Sequence, residues 1–418
     1  MQFTLMSKKE LRIAETISRV LKGDLKNKAA ARIIGVQPRT IRRMKAKVRK
    51  HGLSALAHGG RGRPGNRRMD AKERAKMERL LSEKYHDFGP TLAAEKLLLH
   101  HAIGHDPKTV RSVMIALGLW KERRRGVETH REWRLRRARF GELLQYDGSY
   151  HAWLEDRWTG PDGSHELCLL LAIDDATGRV TQAYFAPHEG LLPTLGFWLT
   201  YGLELGLPLE IYVDRFSTYK MHMKVAAENE DTKTQFGRVM ESLGVKLIFA
   251  HSPQAKGRVE RVFGTLQDRL VKELRLAGIS TPEEANVFIK QTFLPDFNTK
   301  FAVAPREEND FHRQLTPDEK KNIRTIFCRE DRRTVCGDST ISHEAIWYQL
   351  CPTPRIHVRP KDKAVVRTSP DGEITVWIRG KQVISRTIEK GTRRFAEELI
   401  LKKRTFLIPG KADISISR

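Results

Sequence analysis

Apolar residues recur at helical spacing at the start of the chain. Ile13, Ile17, Val20 and Leu21 form one run, and Ala30, Ala31, Ile33 and Ile34 form a second. Gly35-Val36-Gln37-Pro38 interrupts this pattern, and Pro38, whose fixed φ suits a first helical turn, opens a third run with Ile41, Met44 and Val48 on its apolar side. Two helices joined by so short a glycine-containing turn predict a helix-turn-helix, with small Ala31 letting them cross closely. A second helical stretch covers 70–120: Met77, Leu80 and Leu81, then Thr91 to Leu99, then Lys108 to Leu119. Asp106 as a cap and Pro107 as the first residue open its last helix, so this stretch reads as a second helix-turn-helix-like unit.

From 142 the period changes to that of strands: Leu143 to Asp147, Leu167 to Asp175, and Arg179 to Phe185 beyond the Ala176-Thr177-Gly178 turn. A helix-like stretch at 191–205 leads to a short buried strand, Leu209 to Val213. A helix at about 232–243 leads to another strand, Val245 to Phe249. A long helix begins near Lys256 or Gly257, with Val259, Phe263, Leu266 and Leu270 on one face. Three antiparallel strands followed by helix, strand, helix, strand and helix is the order of a ribonuclease-H-like α/β layer fold. Beyond it, 306–330 reads as a helical connector. Residues 331–390 read as a small β-barrel of short strands such as Trp347 to Leu350, Lys363 to Arg367 and Ile374 to Ile378, with a hairpin turn at Pro370-Asp371-Gly372.

The whole is therefore expected to be a multidomain α/β chain: a helix-turn-helix domain at 1–57, a linker at 58–68, a second helical domain at 69–125, a basic linker at 126–141, a core at 142–305, the connector, the barrel, and a tail at 391–418. Its 418 residues allow this many units. Charge narrows the partners. Lys and Arg number 76 against 51 Asp and Glu, a formal net charge of +25, which draws the chain to a polyanion, with double-stranded DNA first. No apolar run spans a bilayer and no signal-peptide pattern follows Met1, so a cytoplasmic protein without membrane association is expected. The four cysteines, Cys168, Cys328, Cys336 and Cys351, form no Cys-x-x-Cys pair and read as reduced thiols.

Several cations fall where DNA would meet them. Arg39, Thr40, Arg42 and Arg43 project from the early third helix toward a major groove, and Lys108, Arg111 and Ser112 occupy the matching place in the second unit. The linker's Arg61-Gly62-Arg63-Pro64 resembles an AT-hook, whose arginines enter a narrow minor groove; a tether touching phosphates is the equal alternative. The run 121–140 holds nine Lys or Arg against three Glu, and Arg136 and Arg137 within it are expected to touch phosphates.

Three acids complete the pattern. Asp147 lies at or near the end of the first strand, Asp214 ends the next buried one, and Glu260 sits in the first turns of the long helix, flanked by Lys256, Arg258 and Arg261. Strand ends and an adjoining helix are where such groups meet in a layered α/β fold, and hard carboxylate oxygens suit the divalent ions of phosphodiester chemistry. The rival acids Asp174 and Asp175 precede a turn and are expected to serve it.

Tyr146-Asp147-Gly148-Ser149, Tyr212-Val213-Asp214-Arg215 and the block from Ser252-Pro253-Gln254 to Glu260-Arg261 resemble the Asp-Asp-Glu core of retroviral-integrase-like insertion-sequence transposases, the ISNCY group above all. The resemblance continues through Gly264 to Leu270 and into Asn286, Phe297 and Asn298, covering most of 142–305. One departure is Arg215-Phe216-Ser217 after Asp214, where the wider integrase pattern has Asn-Gly. The resemblance implies an enzyme that binds terminal inverted repeats and cleaves and transfers DNA strands with Mg²⁺ or Mn²⁺. Asp147, Asp214 and Glu260 would be its metal-binding catalytic triad, in a homodimer or larger assembly on DNA. A DNA-binding regulator that keeps the core only as scaffold, and a nuclease without strand transfer, are the competing expectations.

Overall fold

The computed structural model describes residues 6–58, 69–121, 135–214, 234–249, 257–352 and 356–389. The chain divides into two compact units, 1–86 with 93–120, and 87–92 with 121–418.

In the first unit α1 (Lys8–Lys22), α2 (Asn27–Ile34) and α3 (Pro38–His51) enclose a core of Ile17, Val20, Ala30, Ala31, Ile41 and Val48. Ser7 and Glu10 cap α1 reciprocally: the Ser7 N–H donates to the Glu10 carboxylate at 2.7 Å, and the Glu10 N–H donates to the Ser7 hydroxyl at 3.3 Å. Gly35 ends α2 at φ +75°, a conformation that a Cβ would strain, and Pro38 opens α3 two residues after Val36. The same unit holds α4 (Ala71–Glu83), α5 (Pro90–His101) from Ala93 on, and α6 (Pro107–Ala116). Met77, Leu80 and Leu81 on α4, Leu97 on α5, and Val110, Val113 and Met114 on α6 are buried. Asp106 caps α6 by accepting from the Lys108 N–H at 2.8 Å.

The second unit is built on five strands, β1 (Leu143–His151), β2 (Leu167–Asp174), β3 (Val180–Ala186), β4 (Glu210–Val213) and β5 (Lys246–Phe249), in the order β3-β2-β1-β4-β5. β1, β2 and β3 pair antiparallel, whereas β4 runs parallel to β1 and β5 parallel to β4. Parallel neighbours need long crossovers, and α7 (Leu191–Glu204) and α8 (Gln235–Ser242) lie in them. One sheet face, with Leu144, Tyr146, Leu170, Ile211 and Val213, packs on Phe197, Trp198 and Tyr201 of α7 and Phe236, Val239 and Met240 of α8. The other, with Leu169, Leu171 and Ile173, is covered by α9 (Gly257–Leu276) through Val259, Phe263, Leu266 and Leu270. β2 is buried along its whole length, as its unbroken apolar run requires.

Residues 282–301, which carry no predicted element, fold as α10 (Pro282–Phe288), a π-turn (Ile289–Phe293) and α11 (Leu294–Phe301). Pro295 has no N–H to donate, and the helix shifts phase in the turn before it, the Leu294 N–H reaching back to the Ile289 carbonyl. These helices serve the sheet edge. Asn286 accepts from the Phe185 N–H at 2.6 Å and donates to the Phe185 carbonyl at 3.2 Å; Asn298 does the same with Val180 at 2.9 and 2.8 Å. Each carboxamide thus stands in for a neighbouring strand along β3, whose backbone would otherwise be an open template.

The expected helical connector at 306–330 is helical only in α12 (Pro317–Lys321) and α13 (Ile323–Ile326). Before them the backbone is extended, bridging Asp310 to Phe140 and Arg313 to Leu207, because Pro305 and the polar run after it offer no helical face. The next strand starts at Arg329, inside the expected connector. β6 (Arg329–Thr334), β7 (Thr340–His343), β8 (Ile346–Cys351), β9 (Lys363–Thr368), β10 (Ile374–Ile378) and β11 (Lys381–Ile388) form one sheet ordered β6-β9-β10-β11-β8-β7. Its two edge strands approach each other, making a near-closed barrel around Ile341, Leu350, Ala364, Val366, Val376 and Ile378. Gly372 turns the β9–β10 hairpin at φ +83°. Among the described residues, no helix is long and apolar enough to cross a membrane.

Replacing Asn286 or Asn298 by Ala leaves an edge-strand N–H and carbonyl without their partners. Each change is expected to cost about 1–3 kcal/mol, read from urea unfolding of the full chain; an unchanged midpoint would show that the edge is satisfied otherwise.

Candidate active site and nucleic-acid interface

The parallel pairing of β1 with β4 matches Leu143 to Glu210, Leu144 to Ile211 and Gln145 to Tyr212. Carried forward two residues, the same offset brings Asp147 level with Asp214. Adjacent strands lie about 4.8 Å apart and residues at one register share a face, so the same register continued past Val213, where β4 ends, would set the two aspartates side by side. The face follows from the antiparallel side: Asp147 pairs with Leu171, whose side chain lies in the core beneath α9. Both aspartates are half-buried, and Glu260 is exposed in the first turn of α9.

The long helix lies along β1. Its Val259 N–H meets the Gln145 carboxamide at 3.4 Å, and its Gln267 meets the Ser149 hydroxyl at 3.4 Å. Glu260 and Gln267, seven residues apart, occupy one stripe of the helix, which places Glu260 on the β1 side of α9. Among the described residues, no three His, Cys, Asp or Glu side chains stand close enough together to hold a metal ion. The register thus points the two aspartates to one face and the helix stripe points Glu260 toward β1, and among the described residues the three do not gather into one cluster.

Asp174 and Asp175 are fully buried and structural. Asp174 accepts from the Thr177 N–H at 2.7 Å, the Thr177 hydroxyl at 2.6 Å and the Gly141 N–H at 3.1 Å. Burial pushes its carboxyl above the usual range, against the pull of these donors. Asp175 accepts from the Gln145 carboxamide and from the Arg137 N–H, each at 2.9 Å, and pairs with the Arg258 guanidinium. Gln145 is the residue that pattern reading missed. A polar side chain two positions before Asp147, on the same strand face and 1% exposed, was the available signal.

The cations separate into two groups. Arg39, Arg42 and Arg43 are exposed on α3 with Thr40 half-buried among them, and Lys108, Arg111 and Ser112 are exposed on α6. Arg261 is exposed on α9. Arg136, Arg137 and Arg258, expected at phosphates, have partners within the fold. Arg136 donates to the Ala176 carbonyl at 3.2 Å, Arg137 pairs with buried Glu210 at 2.5 Å, and Arg258 with Asp175. A guanidinium next to a poorly solvated carboxylate is drawn there first. Arg61, Arg63 and Lys256, with the block 252–254, lie outside the described residues.

Cys168, opposite Tyr150 on β1, is buried, which with the nearby Glu189 carboxylate pushes its thiol up to about 12. It stays protonated and offers no nucleophile.

Over 341 residues, 81% of this chain and 72% of the relative, the chain is 37% identical to a protein of Sinorhizobium fredii (strain NBRC 101917 / NGR234) that carries the transposase name y4bF. The chain belongs to the transposase family. The transposase is also 35% identical over 252 residues, 58% of its length and 50% of the relative's, to the transposase for insertion sequence IS1202 of Streptococcus pneumoniae. Its residues 14–65 match the family described as helix-turn-helix domain, which covers α2, the Gly35 turn and α3 and marks a DNA-binding module.

Two solved structures are similar to the transposase at low scores. One is a simian T-cell lymphotropic virus intasome in complex with PP2A regulatory subunit B56 gamma, with a TM-score of 0.32 and 15% identity over 75% of this chain and 99% of that one. The other is the HTLV-2 integrase catalytic core domain in complex with magnesium, at 0.26 and 19% over 37% and 88%. At such scores the fold rests on the transposase's own strand order.

Since Arg137 neutralises buried Glu210, Arg137→Ala is expected to destabilise the fold by about 1–2 kcal/mol, seen in urea melts. It should leave the salt dependence of DNA affinity unchanged. A salt slope lowered by about one unit would instead mark a phosphate contact.

Proposed function

We propose that this transposase is of the ISNCY type, binds the terminal inverted repeats of an insertion sequence, and cleaves and joins DNA strands in a ribonuclease-H-like core. Asp147, Asp214 and Glu260 form its carboxylate triad. The observation that supports this reading is the parallel register of β1 on β4, which, continued past Val213, matches Asp147 to Asp214 on the sheet face under α9, the helix with Glu260 in its first turn.

The donor set suits Mg²⁺ or Mn²⁺: carboxylate oxygens only, with no thiolate or imidazole to favour a softer ion. Asp147 and Asp214 would hold the ions from the strands and Glu260 from the helix. Bound there, such ions make an attacking water or 3′ hydroxyl more acidic and stabilise the leaving oxygen. The chain's own contribution is placement. β1 and β4 fix two carboxylates on a sheet that is packed on both faces, α9 presents the third, and Lys256 and Arg261 supply positive charge beside it for phosphates. Recognition of the ends falls to Arg39, Thr40, Arg42 and Arg43 on α3, with Lys108 and Arg111 on α6 in a second reading unit and Arg61 and Arg63 in the linker between. Joining two ends in one reaction calls for at least a dimer.

Purified protein incubated with labelled element ends, a plasmid target and Mg²⁺ should cut the ends and join them to the plasmid, and chelation should stop both steps. Asp147→Asn, Asp214→Asn and Glu260→Gln should each abolish cleavage and joining while leaving end binding nearly intact. Retention of a tenth of parental strand transfer by any of them removes that residue from the triad. Cutting without joining would make the protein a nuclease.

End recognition is checked separately. Arg42→Ala and Arg43→Ala in the full chain should weaken binding to specific ends by about 1–3 kcal/mol for any lost base contact. Binding to unrelated duplex should change far less, as read by mobility shift; equal losses on both duplexes would reduce α3 to a phosphate-binding face.

A further inference from the structure

Three side chains outside the proposed triad meet at the start of α9, just before Glu260. Asp175, the residue after β2, is fully buried. Gln145 of β1 donates to it at 2.9 Å with its amide nitrogen and accepts the Val259 N–H of α9 at 3.4 Å with its oxygen. Arg258 of α9 closes the ring by pairing with the same carboxylate oxygen, and the Arg137 N–H occupies the other at 2.9 Å. Val259 and Arg258 are the two residues before Glu260. The network therefore grips the first turn of α9, where a helix has N–H groups without intrahelical partners and frays most readily.

We infer that Asp175, Gln145 and Arg258 form a positioning lock that sets Glu260 over Asp147, and that Asp175 is its centre. This rests on the reading of Glu260 as a metal ligand. Two covalent links make the lock specific to the site. Gln145 is two residues from Asp147 on one strand face, and Arg258 is two from Glu260 on one helix turn, so a fixed distance between Gln145 and Arg258 fixes the gap between the two acids. An ordinary apolar contact, such as Val259 in the core, resists separation of helix and sheet but allows the helix to rotate. The bidirectional carboxamide of Gln145 and the guanidinium–carboxylate pair both have directional geometry and resist rotation.

Outer partners of a metal site typically alter metal affinity or activity 10- to 100-fold when removed. The variants are Asp175→Asn, which keeps size and loses charge, and Arg258→Gln, which is more exposed and tests the same pair should the first fail to fold. The double variant and Glu260→Gln complete the set. Each is checked by thermal melt and end binding, then titrated with Mn²⁺ on end DNA, reading bound metal by electron paramagnetic resonance and strand cleavage in parallel. The lock predicts that both single variants raise the Mn²⁺ midpoint by about 10-fold or more, with cleavage returning at high Mn²⁺. The double variant should be no worse than the weaker single, because both changes open one contact. Unchanged midpoints in folded variants, or independent additive losses, overturn the lock while leaving the triad standing. If Glu260→Gln itself binds metal and cleaves like the parent, the triad reading fails, and the lock falls with it.

Discussion

The catalytic unit depends on one strand that meets opposite neighbours on its two sides. β1 is antiparallel to β2 and parallel to β4, and every functional position on it inherits both registers. A slip of one residue against either neighbour would reverse the faces, sending Asp147 into the apolar layer of Trp198 and Phe197 and bringing Tyr146 under α9. The structure guards this register before the strand begins. The Asp175 N–H donates to the Leu143 carbonyl at 2.9 Å, the Leu209 N–H to the Gly141 carbonyl at 3.0 Å, and the Glu210 N–H to the Glu142 carbonyl at 3.2 Å. Together with Asp174 on the Gly141 N–H, these bonds fasten the entry of β1 to both flanking strands. The apolar alternation then has only one arrangement that buries both faces.

The net charge of +25 is a property of the sum, and the structure divides it. Arginines near the sheet become internal fasteners: Arg157 donates to the Ile279 carbonyl at 2.5 Å, Arg238 to the Cys328 carbonyl at 2.6 Å, and Arg367 pairs with Glu330 at 2.8 Å. A guanidinium can serve both roles because its donors form a rigid fork and its charge persists at any physiological pH. What separates a fastener from an exposed cation is the neighbourhood. The helix α3 itself carries no acid, and its Arg39, Arg42 and Arg43 are exposed; near β4, buried Glu210 pairs with Arg137 and Lys246.

Most elements were legible from the period of apolar residues, because each packs on a single layer. The Gly35–Pro38 turn, the buried run of β2 and the alternate faces of β1 all report local constraints that the chain carries within a few residues. The part at 282–301 was not legible, since Pro295 and the π-turn before it shift the apolar phase midway. The roles of Asn286 and Asn298 were hidden for another reason: each pairs with backbone over a hundred residues away, and backbone leaves no mark in sequence. Arg258 misled in the opposite direction. Beside Lys256 and Arg261 it reads as part of a basic face, and only the fold reveals the carboxylate 83 residues earlier that claims it.

The aspartates and the glutamate of the site are held by different kinds of force. Asp147 lies within β1 and Asp214 directly follows β4, so both are anchored by paired strands that cannot shift without dismantling the sheet. Glu260 sits at a helix start, where apolar packing by Val259 and side-chain bonds to Gln145 and Asp175 oppose fraying. Local stability within one domain can range from near zero to the global value, and chain ends of elements lie toward the weak end. In the proposed site the two aspartates anchored by the sheet are therefore the rigid half and the helix-borne acid the adjustable half. A buried polar side chain such as Asp175 is costly to maintain for stability alone, since an apolar residue could fill its volume. Its presence at the point where strand and helix meet is understandable if what it contributes is direction, holding α9 at one rotation over β1.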